Sequence, residues 1–121
     1  MKNFTIYCKD FELTDSIKEY SEEKMGSLNR YLNQDEDLVK FNFRLGKSSN
    51  SHNNGKIYYA EVSIHTPEKN YGGKIEAESV YVAIDLLKDE LANNITHYRE
   101  KVRTLSRHEA KKFKEDIKNI H

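Results

Sequence analysis

Residues 80–91 read VYVAIDLLKDEL, and residues 93–108 continue as NNITHYREKVRTLSRH. Val80, Ala83, Ile84, Leu87, Leu91, Ile95, Tyr98, Val102 and Leu105 recur at spacings of three and four. That period predicts one continuous amphipathic helix, with Ser79 as its cap. A helix with a single apolar stripe needs a surface to bury it, and the upstream chain offers a sheet. LVKFNFRL (38–45) sends Val39, Phe41, Phe43 and Leu45 to one face and Lys40, Asn42 and Arg44 to the other, a clean period of two. KIYYAEVSIHT (56–66) turns Tyr58, Ala60, Val62 and Ile64 inward. After the turn PEKN, opened by the chain's one proline, Pro67, YGGKIEAE (71–78) does the same with Ile75 and Ala77.

Further upstream, Phe4, Ile6 and Cys8 alternate with Thr5 and Tyr7, predicting a strand over roughly 3–9. ELTDSIKEYSEEKMGSLNRYL (12–32) offers Thr14 as an N-cap and Asp15 in the first turn. Ile17, Tyr20, Leu28, Tyr31 and Leu32 then share a helical stripe, with Lys24 near its middle. Either the Lys24 stem snorkels along the sheet edge or the helix presents its charge deliberately. GKSSNSHNNG (46–55) has no apolar residue and reads as a flexible hairpin loop.

The order is β-α-β-β-β-α. It predicts an α+β fold, a two-layer sandwich of one four-stranded sheet with two helices packed on one face. The opposite face, bearing Thr5, Tyr7, Lys40, Arg44, Tyr59, Glu61, His65, Lys74 and Glu76, is expected to be wet. At 121 residues the chain supports one core. Residues 1–105 form the expected domain. Residues 106–121, with few apolar anchors (Phe113, Ile117, Ile120), form a basic helical or flexible tail.

Charge and chemistry narrow the function. Net charge is zero, but residues 1–80 carry 11 Lys/Arg against 13 Asp/Glu, whereas from His97 onward the ratio is 8 to 4. A local field at the C-terminal end can act on an anionic partner although the total cancels. The one cysteine, Cys8, excludes an internal disulfide and a Cys-based zinc site, and its place in FTIYC suits a buried small hydrophobe. The N-terminus MKNFTIYCKD lacks an apolar signal segment and no run approaches a membrane span, which predicts a soluble, cytoplasmic protein with no membrane partner. No serine sits in a nucleophile-elbow setting, and no His pair has metal-ligand spacing. Gly72–Gly73 is followed by no helix that could hold phosphate. The reading is of a binding protein, not an enzyme: no catalytic residues, no cofactor, no metal, no small-molecule substrate. On a helical wheel His97 and Lys101 flank the apolar stripe on one side, and Arg99, Arg103 and Arg107 run along the other. That arrangement suits a phosphate backbone laid along the helix, and suits an ordinary solvated helix equally.

ESVYVAIDLLKDEL (78–91) resembles the E-D-M-Y-A-A-I-D-x-L-x-D-K-L signature of the ribosome hibernation-promoting factors, or ribosome-associated inhibitors, of the sigma-54 modulation protein family. ELTDSIKEYSEEKMGSLNRYL resembles that family's first helix, and IHTP (64–67) resembles the end of its third strand. The resemblance spans roughly residues 3–105. It implies a short-form protein that enters the small ribosomal subunit between head and body. There it contacts 16S rRNA and covers the tRNA and mRNA sites in stress or stationary phase. Phosphate contacts from Lys and Arg would supply affinity and shape would supply the address.

By the same resemblance, the family's basic flank on the second helix falls on Glu90, Asn93, His97 and Lys101, of which two are not cationic. Of two lysines in the first helix, Lys24 is kept and Ser27 is not. The contact set implied by position is Lys24, His97 and Lys101, with Arg99 at a position basic in some members; the wheel adds Arg103 and Arg107. Short forms either assist ribosome dimerisation or block it, and the tail fits both. Two other readings stay open. A general double-stranded RNA-binding module would need a basic helix N-terminus and a Lys-rich loop, which are missing. A protein-interaction module would use the wet sheet face or the tail.

Overall fold

The computed structural model describes residues 3–48 and 57–118, side chains from 113 onward excepted. Four strands, β1 (Phe4–Lys9), β2 (Lys40–Lys47), β3 (Tyr58–His65) and β4 (Asn70–Ala77), form one sheet in sequence order. β1 runs parallel to β2, as a strand returning over a helical crossover must, and the other two pairs are antiparallel. α1 (Asp15–Gly26), the single turn α2 (Asn29–Leu32) and α3 (Val80–Lys118) complete the chain, with a short 3₁₀ turn at Glu36–Leu38. The α+β sandwich is therefore as the periodicities predict.

The period-two residues face the helices as expected. Val39, Phe41, Phe43, Leu45, Ala60, Val62 and Ile64 are buried against Ala83, Ile84, Leu87, Leu91 and Ile95 of α3. Thr14 caps α1 by accepting from the Ile17 amide at 3.2 Å. The Ser79 hydroxyl accepts from the Tyr81 amide at 3.2 Å at the start of α3. Gly73 lets α3 settle on β4: a Cβ there would lie 3.0 Å from Leu91 Cδ2 and 3.2 Å from Leu87 Cδ1.

Two expectations change. The first helix is not continuous to Leu32. At Gly26–Ser27 the Leu28 amide bonds to the Met25 carbonyl and the Ser27 hydroxyl donates to the Lys24 carbonyl at 2.6 Å, which ends α1. The α2 turn then redirects the chain and closes at Asn33, whose φ of 51° lies in the left-handed region that asparagine tolerates. The second change is in the loop read as 46–55. Gly46 pairs with Lys9 and Tyr59, so it and Lys47 belong to β2, and residues 49–56 lie outside the described residues.

Candidate nucleic-acid interface

Cations reach this surface through α3. The helix is 39 residues long, or about 58 Å at 1.5 Å per residue. Its sheet-facing stripe is buried as far as Ile95 and half-buried at Tyr98 and Val102; every described side chain from Arg103 to Lys112 is exposed. The helix thus extends past its sheet as a rod bearing Arg103, Arg107, Lys111 and Lys112.

The structure gathers five of the six sequence-predicted contact residues on two sides of α3, one of them, Lys24, from α1. Lys24, Arg99 and Arg103 belong to the flank facing α1 and α2. Lys24 Nζ lies 3.8 Å from the Asp85 carboxylate and 5.3 Å from the centre of the Tyr20 ring. On this flank Arg99 and Arg103 follow Asp85 by about four and about five helical turns. The Arg99 guanidinium turns inward, donating to the Leu32 carbonyl at 3.0 Å and lying 3.8 Å from Glu68. It ties α3 to the end of α2 and to the β3–β4 turn. Beside it a cleft of about 260 Å³ is lined by Asn33, Gln34, Glu68, Arg99, Val102 and Arg103.

His97 and Lys101 occupy the opposite flank. With Glu100, Thr104 and Leu105 they line a shallow depression of about 330 Å³. Both side chains are exposed, as are Glu90 and Asn93 on the helix before them, and Leu105 is 54% exposed. Arg107 stands exposed further along the rod.

Sequence reasoning missed the polar cluster that fixes Lys24. The Tyr20 hydroxyl donates a short hydrogen bond to Asp85, and its ring meets that of Tyr81 edge-on at 5.0 Å. That bond to the carboxylate, with desolvation and the charge of Asp85 behind it, pushes the Tyr20 phenol up to about 12. Tyr20 and Asp85 are 65 residues apart, so no local spacing could pair them. Across the turn, Lys69 Nζ sits 4.8 Å above the Tyr98 ring, and Tyr98 meets Tyr71 edge-on at 6.1 Å.

The described residues contain no group of three or more His, Cys, Asp or Glu able to hold a metal, and no helix long and apolar enough to cross a membrane. Burial pushes the Cys8 thiol up, and its Sγ donates to the Phe11 carbonyl at 3.3 Å, which fits the packing role.

Comparison with known proteins supplies the rest. The chain is 28% identical over 109 residues to the ribosome hibernation promotion factor of Staphylococcus aureus, covering 88% of this chain and 53% of that protein. It is 27% identical over 107 residues to the protein of the same name from Lactococcus lactis, covering 84% and 52%. The chain therefore spans about half the length of these curated relatives. Among solved structures, the N-terminal domain of Thermus thermophilus Protein Y superposes with a TM-score of 0.62 at 26% identity, over 78% of this chain and 98% of that one. A ribosomal subunit interface protein from Coxiella burnetii shares the fold, with a TM-score of 0.59 at 16% identity over 80% and 97%. The family model described as sigma 54 modulation protein / S30EA ribosomal protein matches residues 4–103, most of the chain and every element through the docked part of α3. The chain belongs to the sigma 54 modulation protein / S30EA ribosomal protein family.

Proposed function

We propose that this protein is a ribosome hibernation factor that binds the small ribosomal subunit through 16S rRNA. By occupying the tRNA and mRNA sites, it halts translation under stress or in stationary phase without catalysis. The observation that carries this reading is the shape and charge of α3. One end is fastened to the sheet by a buried stripe, and the other projects beyond it carrying cations, in a chain of this family. A rigid positive rod can enter a groove between RNA walls and gain affinity from phosphates along its length. Lys24, His97, Lys101, Arg103 and Arg107 are the proposed phosphate contacts. Arg99 supports them by orienting the rod and presents part of its guanidinium at the cleft beside Arg103. In this proposal residues 1–105 are the ribosome-binding domain and 106–121 its basic extension.

Co-sedimentation with separated small and large subunits across a salt series tests the reading. The expected outcome is pelleting with the small subunit alone, released as salt rises, and weakened by Lys101→Glu and Arg103→Glu. Failure to pellet with either subunit at low salt would sink it.

A further inference from the structure

The sheet face turned away from the helices has a construction of its own. Residues Lys9, Gly46, Tyr59 and Glu76 form one cross-strand row, and Tyr7, Arg44, Glu61 and Lys74 form the next. Gly46 is buried although its row faces outward. The cause is Tyr59: a Cβ on Gly46 would lie 2.5–2.6 Å from that ring and its hydroxyl, so the ring lies down across β2. Lys74 Nζ lies over the same ring, 4.7 Å from its centre, so a base that stacks on Tyr59 takes the place of this cation and frees it for a phosphate. Tyr7 on the adjacent row is 60% exposed. The row beyond it (Thr5, Asn42, Ser63, Gly72) is small and polar, leaving open ground next to the ring. Arg44 is fixed between the strands by Glu61 at 2.9 Å. The outward positions carry four cations, Lys9, Lys40, Arg44 and Lys74, against two carboxylates, Glu61 and Glu76, on a chain whose net charge is zero.

We propose that this face is a second binding surface, for single-stranded RNA, on which Tyr7 and Tyr59 stack unpaired bases and Lys9, Arg44 and Lys74 meet the adjoining phosphates. Exposed rings on a rigid sheet with cations beside them are what sequence-tolerant single-strand binding requires, since every base has a π-face and every linkage a charge. A protein partner would be better served by a continuous apolar patch. The two large hydrophobic side chains that this side exposes strongly among the described residues, Tyr7 on β1 and Ile57 just before β3, instead stand on different strands with the Lys9–Gly46–Tyr59–Glu76 row between their rows. The helix rod and the sheet face look in different directions, so this surface goes beyond the subunit-binding reading and does not depend on it.

The test is an NMR titration of the isotope-labelled full chain with short oligouridine and oligoadenine, and with an A-form duplex as control. Expected are amide shifts gathered on β1 and β3 with the single strands and weaker binding to the duplex. Tyr7→Ala should weaken single-strand affinity by roughly fivefold or more, the lower end of what removing a base stack costs. Gly46→Ala, whose new methyl forces the Tyr59 ring off β2, should do likewise with the fold intact, and Lys101→Glu should leave the β1 and β3 shifts in place. The proposal is overturned by an absence of shifts, by shifts confined to α3, by equal binding to the duplex, or by unchanged affinity in both sheet-face variants. A sheet face silent toward RNA would leave it to protein contact.

Discussion

At the residue scale the cations separate into those the fold consumes and those it displays. Arg99 and Arg103 are one helical turn apart and look alike in the sequence, yet among the described residues Arg99 alone of the two binds a carbonyl and a carboxylate. Arg99→Ala is therefore expected to cost about 1–2 kcal/mol of unfolding free energy, below the full value of a charged hydrogen bond because the group is part-exposed. Arg103→Ala should cost less than about 0.5 kcal/mol. Urea denaturation of the two variants decides it, and equal losses would dissolve the distinction. Tyr20 gives a pH test. Its phenol is raised from 10 to about 12, so the folded state holds the proton more tightly than the unfolded chain does. The stability this contributes is fully present below pH 10 and is lost as pH rises through about 12. Across that window the wild-type denaturation midpoint should fall more steeply than that of Tyr20→Phe; parallel curves would mean the Asp85 bond contributes nothing. None of these pairings was legible in the sequence, because Tyr20–Asp85 and Arg99–Leu32 join residues 65 and 67 apart. The charges were visible there, but their partners depend on the tertiary fold.

At the scale of elements the reading from sequence was sound where a period ran long. The stripe from Val80 to Ile95 and the alternation from Val39 to Leu45 each leave one way to bury their apolar residues, and the sheet and α3 follow. The far end of the predicted stripe, Leu105, instead lies 54% exposed because the helix has run past its sheet. It faltered where short-range chemistry competes with a period. Ser27 draws back onto the Lys24 carbonyl, and the stripe that seemed to run from Ile17 to Leu32 is shared between α1 and α2. Met25 and Ser21, both fully buried, were missed because a serine and a residue off the assumed stripe carry no obvious apolar signal. Ser21 is accommodated by donating to the Ile17 carbonyl at 2.8 Å, a bond inside its own helix. The docking of α3 makes a further prediction at this scale. Gly73→Val places branched carbons where Leu87 and Leu91 already sit, and should destabilise by about 1–3 kcal/mol through overpacking. A Tm unchanged from wild type would show that the helix can ride outward at no cost.

For the whole molecule, the division of labour along α3 separates stability from binding. The core is complete by Ile95, while from residue 106 onward the sequence counts five cations, Arg107, Lys111, Lys112, Lys114 and Lys118, and three acids, Glu109, Glu115 and Asp116. Removing residues 106–121 should leave the denaturation midpoint nearly unchanged. Under the proposed function it should also lower affinity for the small subunit and flatten its salt dependence, by about 0.7 log units for each phosphate of single-stranded RNA that the shortened helix no longer neutralises. Analytical sedimentation of the truncated chain over a salt series measures affinity and slope together. An unaltered slope would confine the phosphate-binding cations to the docked part of the helix.

The order of elements also has a consequence during synthesis. Six of the buried core side chains, Val80, Ala83, Ile84, Leu87, Leu91 and Ile95, lie on the helix that follows the last strand. A nascent chain that has released β4 holds a finished set of strands with much of one oily side uncovered. That side stays bare until roughly twenty more residues emerge, about 1–4 s at ordinary translation rates. During that interval the protein is a client for whatever shields hydrophobic surface at the ribosomal exit.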